Sequence, residues 1–159
     1  MSRVLTTAAL MGALLAAGCS TEGTVLQTSG ATPLPPASAW AVAVTGCPQP
    51  SQCESIRNQV SLQLLASGLA QSIAQQGGER TLDIRVNNLR VVSPAARVFG
   101  GVFAGRNEVA STVTVRNRGT VLRTFDVTSA SASHIMSGQS FEVDAYKKLA
   151  EQVVGQLRA

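Results

Sequence analysis

The pattern of apolar and polar residues after residue 38 predicts one domain of strands and helices. Trp40–Val44 is a short apolar run bounded by turn-forming residues, which is typical of a buried strand. Leu82, Ile84 and Val86 alternate with polar residues and predict a strand with one buried face. The apolar positions then shift parity at Leu89, so we expect one extra residue, a β-bulge, at Asn87-Asn88.

Two more alternating strands follow. Their inward positions are predicted to be Val109, Ser111, Val113 and Val115, and then Val121, Phe125 and Val127. Asn117-Arg118-Gly119 predicts the tight turn between them, with Gly119 in a left-handed conformation.

Two segments predict helices. The first is expected from Ser51 to about Gln76, with a capping box at Ser51 and Glu54 and an end at Gly77-Gly78. Apolar residues cover a wide arc of this helix, which favours packing on a sheet. The second helix begins near Ser140, and its apolar residues recur in steps of four: Phe141, Ala145, Leu149, Val153 and Leu157. The expected fold is α+β, a two-layer β-α-β-β-β-α sandwich over residues 39–159, with both helices on one face of a mainly antiparallel sheet.

The N-terminal residues 1–18 predict a lipoprotein signal peptide. Arg3 is followed by an uncharged, mostly apolar run that is short for a membrane span. The run ends in Leu14-Leu15-Ala16-Ala17-Gly18-Cys19, which resembles the lipobox of bacterial lipoproteins. The resemblance implies cleavage between Gly18 and Cys19, and a diacylglycerol and an acyl chain on Cys19. The alternative is an ordinary secretory signal cleaved near Ala17.

Residues 19–38 are rich in Ser, Thr, Gly, Pro and Ala and predict a flexible tether that becomes semi-rigid at its Pro-rich end. Ser20 follows the cysteine where an aspartate would favour the inner membrane. By resemblance to enterobacterial sorting rules, this favours a periplasm-facing position on the outer membrane.

Cys47 and Cys53 are expected to form a disulfide, because the periplasm is oxidising. Free thiols are the alternative. A metal site is disfavoured because the cysteine spacing is wrong for zinc and the single histidine, His134, is distant in sequence.

Basic residues outnumber acidic ones, with 13 Lys and Arg against 9 Asp and Glu and a net charge of +4. The arginines cluster in the middle of the chain, at Arg80, Arg85, Arg90, Arg97, Arg106, Arg116, Arg118 and Arg123. A basic sheet face that binds anionic lipid or lipopolysaccharide is one hypothesis, and an ordinary solvated face is the alternative. Nucleic acid is excluded as a partner by the compartment.

The segment from Arg97 to Arg106 contains Phe99 and Phe103 among glycines. It resembles a phosphate-binding loop only faintly, since Arg106-Asn107 replaces the Lys-Ser/Thr pair and a strand follows. Neither a nucleotide nor another cofactor is therefore expected. The two rings either pack in the core or form an exposed tip that contacts a partner or lipid.

Ala96-Arg97, the Gly100–Arg106 loop, the hairpin, and Gly138 followed by Ala145, Leu149, Ala150 and Val153 resemble a family of proteobacterial lipoproteins with a domain of unknown function. The overall layout also resembles lipopolysaccharide-assembly, curli-secretion and transporter-accessory lipoproteins. With a lipid tether, one compact domain and no evident catalytic set, the first hypothesis is a non-enzymatic accessory protein that supports an outer-membrane partner in assembly or transport. Anionic lipid binding is the second hypothesis. A periplasmic hydrolase with an unrecognised site is the third, since no nucleophile or acid–base pair is evident.

Overall fold

This computed structural model describes residues 24–27, 34–92, 105–130 and 141–159. The elements are β1 (Thr24–Gln27), β2 (Ala37–Thr45), α1 (Pro50–Ala66), β3 (Ala70–Ala74), β4 (Arg80–Arg90), β5 (Glu108–Asn117), β6 (Thr120–Ala130) and α2 (Phe141–Arg158).

The six strands form one mixed sheet in the order β1-β6-β5-β4-β2-β3. β1, β6, β5 and β4 pair antiparallel, whereas β2 runs parallel to both β3 and β4. α1 packs on β2 and β3, α2 packs on β5 and β6, and the two helices pack on each other. The predicted α+β two-layer fold is thus confirmed. Its β-α-β-β-β-α order is present as β2-α1-β4-β5-β6-α2, and β1 and β3 are additional edge strands.

The predicted bulge in β4 is confirmed. The register between β4 and β5 shifts between Val86 and Asn88, so Val86 and Leu89 can both turn toward the helices. Gly46 lies directly on the backbone of this bulge, with φ at +83°. A Cβ at Gly46 would lie 2.3 Å from the Val86 carbonyl oxygen, so only glycine fits there.

The turn between β5 and β6 also has the expected form, with Arg118 at φ +48° and Gly119 at φ +87°. A second register shift, between the partners of Val115 and Arg116, adds one residue to β6 at Leu122 and so turns Val121 away from the helices. The prediction that Val121 points inward is wrong, because its exposed fraction is 50%. Arg123 takes the inward position and donates a hydrogen bond from Nη1 to the Gln156 carbonyl of α2.

α1 is shorter than predicted, and its predicted capping box is wrong. The helix begins at Pro50, with Gln49 as the N-cap, and the Gln52 side chain accepts from the Gln49 N–H at 3.2 Å. It ends at Ala66 because Gly68 adopts a φ of +74°.

Residues 70–74, which were expected to be helical, form β3 instead. The chain reverses just before this strand at Leu69, which is buried. The Leu69 carbonyl accepts hydrogen bonds from the Ala37 N–H at 3.0 Å and from Trp40 Nε1 at 2.9 Å. These bonds and the parallel pairing with β2 give the backbone of this segment its hydrogen-bond partners.

The predicted tether at 19–38 is not flexible throughout. Thr24–Gln27 pairs with β6 from Thr128 to Phe125, and the last two residues of the range already belong to β2. The physical reason is that β6 would otherwise be an uncovered edge strand, and the short Thr-Val-Leu-Gln segment can pair with it.

The connection from β3 to β4 crosses β2 closely. A Cβ at Gly78 would lie 2.6 Å from the Ala41 nitrogen, so the crossing requires a residue without a side chain. Beside it, the Glu79 carboxylate accepts from the Ser38 hydroxyl at 2.8 Å and from the Ser38 N–H at 3.1 Å. These two bonds, with weaker attraction from Arg118 and Arg80, lower the pKa of Glu79.

Candidate interaction surfaces

The predicted disulfide is present between Cys47, which follows β2, and Cys53 in the first turn of α1. Its sulfurs are 2.09 Å apart and its Cα atoms are 5.6 Å apart. The bond therefore fixes where α1 begins relative to the end of β2, next to the tight contact at Gly46.

Reduction of this disulfide is expected to lower the free energy of unfolding by about 2 kcal/mol, because a loop this short restricts the unfolded chain only modestly. Urea denaturation with and without reductant measures the difference. The Cys47→Ser/Cys53→Ser variant is the control and should show no response to reductant. An unchanged midpoint in the reduced native-sequence protein would contradict this expectation.

Residues on the two sides of the loop that is predicted to contact a partner lie against each other, Arg90 and Val92 on one side and Gly105 and Asn107 on the other. Asn107 is buried, and its Oδ1 accepts from the Val92 N–H at 2.8 Å. Arg90 lies against Gly105, where a Cβ would be 2.9 Å from the guanidinium. Arg106, the one candidate contact residue that is described, is exposed. Arg97, Phe99 and Phe103 lie outside the described residues, so their role as a contact tip stays a prediction.

Gly18, Cys19 and His134 also lie outside the described residues, so cleavage and lipidation stay predictions. Over the described ranges, no helix is long and apolar enough to cross a membrane. In the same part of the chain, no three His, Cys, Asp or Glu side chains are grouped so that they could hold a metal ion.

The arginine-rich sheet face is not present in the form that the sequence suggested. Arg80 and Arg123 are buried on the helix side, with exposed fractions of 6% and 3%. The Arg80 guanidinium lies 5.5 Å from the centre of the Trp40 ring and donates to the Pro35 carbonyl. Two of the eight clustered arginines therefore lie in the core and not on the open face of the sheet, and the basis for lipid binding through this face is weakened.

The open face of the sheet is instead a mixed polar surface. The Arg116 guanidinium is 2.9 Å from the Asp83 carboxylate across β5 and β4. A second row joins three strands: Asn87 donates to Thr112 at 2.9 Å, and Thr112 donates to Asp126 at 2.6 Å. Acidic and amide groups thus accompany the arginines, so this face is not uniformly basic.

The outer side of α1 exposes large apolar residues. Leu62 and Leu65 have exposed fractions of 60% and 41%, whereas Ile56, Val60 and Leu64 of the same helix are buried. Beside them, the C-terminal halves of α1 and α2 border an open groove of about 290 Å³, with Arg158 donating to the Ser67 carbonyl at its edge. We call Leu62 and Leu65 the α1 apolar patch. The sequence signal for it was the wide apolar arc of this helix, which exceeds what one sheet can cover.

Comparisons with known proteins identify the fold. No protein-family model matches the chain, and no curated protein matches it. A dodecamer of PelC from Paraburkholderia phytofirmans, solved as a single-substitution variant, superposes with a TM-score of 0.63 at 22% identity over 87% of this chain and 98% of PelC. A second PelC dodecamer gives a TM-score of 0.63 at 21% identity, over 87% of this chain and 99% of PelC.

A Xanthomonas campestris protein of the DUF330 family has a TM-score of 0.45 at 14% identity, over 82% of this chain and 89% of that protein. That score is too low to carry an argument. The PelC superpositions, by contrast, span nearly all of PelC and most of this chain. The chain is therefore similar to PelC in fold.

Proposed function

We propose that this chain is a lipid-anchored, periplasm-facing accessory protein of the bacterial outer membrane and that it works as a homo-oligomer, supporting assembly or transport by an envelope partner. The observation that carries the proposal is the likeness in fold to PelC over 98% of that protein, which was crystallised as a dodecamer. The lipobox-like run that ends at Cys19 supplies the anchor.

Two features of the chain support the compartment and the assembly. The Cys47–Cys53 disulfide suits an oxidising compartment such as the periplasm. The α1 apolar patch suits an interface between subunits, because exposed leucines on a helix are stabilised when a neighbouring subunit removes them from water.

The assembly is tested with the full-length protein extracted from membranes in mild detergent and sized by light scattering. The native protein is expected to be an oligomer. The Leu62→Asp/Leu65→Asp variant is expected to be smaller, because two carboxylates in an apolar interface lose hydration without gaining partners. Its far-ultraviolet circular dichroism should be unchanged, since both positions are exposed.

The matched control is Val121→Asp/Leu122→Asp, which places the same charges on residues with exposed fractions of 50% and 40% elsewhere on the domain. It should keep the native size. A native protein that is a monomer would contradict the homo-oligomer. A loss of assembly in the control alone would contradict the assignment of the interface to α1.

A further inference from the structure

The position of β1 determines which end of the sheet is closest to the predicted lipid. β1 runs antiparallel to β6, and Thr24 pairs with Thr128, near the end of β6. The same end of the sheet carries Arg90 of β4, Glu108 of β5 and Ala130 of β6, which lie in one row. We call this the anchor end.

The segment between Cys19 and the start of β1 is too short to let the lipid lie far from the anchor end. Cys19 precedes Thr24 by five residues. Even fully extended, five residues span only about 17 Å. A lipid on Cys19 would therefore hold the anchor end near the bilayer, instead of letting the domain move over the full length of residues 19–38.

The anchor end also carries side chains that suit a membrane surface. Val91, just after β4, and Val143, in the first turn of α2, are apolar and have exposed fractions of 41% and 42%. Arg90 and Arg106 are exposed beside them. Valines at the boundary of the acyl chains and arginines at lipid phosphates are the arrangement that interfacial binding favours. Three acidic residues, Glu108 and, in the first turn of α2, Glu142 and Asp144, also lie at this end, so the contact depends on the lipid anchor and the valines and not on net charge.

We infer that the anchor end of the sheet, with Arg90, Val91, Arg106 and Val143, rests on the lipid bilayer surface, and that the hairpin turn at Arg118 points away from it. β5 has ten residues. A strand of that length spans about 30 Å, so the hairpin end lies well clear of the bilayer and is free for a protein partner. This inference rests on the lipid anchor of the proposed function and adds an orientation to it.

The test uses the full-length lipidated protein in vesicles that contain a quencher on the lipid headgroup. A fluorophore is attached through Val91→Cys in one sample and through Arg118→Cys in the other. The introduced thiol reacts selectively because Cys47 and Cys53 are bonded and Cys19 carries lipid in the proposed state. The label at position 91 should lose most of its emission, and the label at position 118 should keep it.

Equal quenching at the two positions, or stronger quenching at position 118, would overturn the orientation. Quenching at neither position would also overturn it when vesicle flotation and the intact mass show that the lipid is present. A protein without the lipid mass would overturn the proposed function itself. The two failures are therefore distinguishable.

The apolar contact is tested separately with the label at Asp144→Cys. Adding Val91→Asp and Val143→Asp should reduce the quenching of this label, because charged side chains avoid the apolar side of the interface. Adding Val121→Asp and Leu122→Asp should leave it unchanged. Unchanged quenching in the Val91/Val143 variant would contradict the assignment of these two valines to the lipid contact.

Discussion

Replacing Gly46 with alanine is expected to destabilise the domain by about 3 kcal/mol or more. The residue has a φ of +83°, which costs an alanine about 1 kcal/mol or more in a left-handed conformation. The new Cβ would also lie 2.3 Å from the Val86 carbonyl oxygen, where the β4 bulge leaves no flexible side chain to move aside. Overpacking of this kind adds about 1–3 kcal/mol.

Urea denaturation followed by circular dichroism measures this loss, and Gly77→Ala is the matched control. Gly77 also has a positive φ, +71°, but a Cβ there meets nothing within 4 Å. The control should therefore lose only about 1 kcal/mol, the conformational part of the cost. Equal losses in the two variants would show that the contact with Val86 is not tight.

Replacing Trp40 with alanine is expected to cost about 3–5 kcal/mol, as removal of a large buried aromatic side chain does. Trp40 has an exposed fraction of 0% and packs within the core that the helices share with the sheet. Its Nε1 donates to the Leu69 carbonyl at 2.9 Å, and Arg80 lies on its ring face. The loss therefore combines a cavity, one of the two hydrogen bonds to the Leu69 carbonyl, and a buried cation without its ring.

Trp40→Phe separates these contributions. It keeps a ring below Arg80 and leaves the Leu69 carbonyl with the Ala37 N–H as its remaining donor, so loss of the second bond should cost about 0.5–1.5 kcal/mol. Both variants are followed by circular dichroism, because Trp40 is the only tryptophan in the chain. If Trp40→Phe were as unstable as Trp40→Ala, ring packing would not be the main contribution of this residue.

The strands β4 and β5 and the hairpin to β6 could be predicted because their apolar residues alternate regularly. Strict alternation in β4 and β5, one change of parity and a turn ending in Gly119 determine two paired strands, a bulge and a hairpin. The i+4 spacing of Ala145, Leu149, Val153 and Leu157 likewise predicts the buried face of α2, and all four are buried.

The edge strands β1 and β3 could not be predicted, because each pairs with a strand that is distant in the chain. Gly68 is a local signal for the end of a helix, but only pairing with the backbone of β2 makes the following residues a strand. Thr24–Gln27 is a strand only because β6 has a free edge. Val121 faces away from the helices because the irregularity between β5 and β6 adds one residue, Leu122, to β6.

The candidate surfaces were predictable to a smaller extent. Cys47 and Cys53 are close in sequence, and the compartment favours a bond, so the disulfide could be inferred. Arg80 has the inward parity of Leu82, and Arg123 has that of Phe125, but charged side chains are almost never fully buried, so their burial was not expected. The α1 apolar patch depends on how much of the helix the sheet covers, which sequence alone does not specify.

Native mass spectrometry of the full-length protein, released from membranes in mild detergent, tests the proposed function most directly. One spectrum reports both the number of subunits and the covalent mass of each. We predict a complex of several identical chains, each beginning at Cys19 and carrying a diacylglycerol and an acyl chain. Single chains with an unmodified Cys19 would contradict both the lipid anchor and the homo-oligomer.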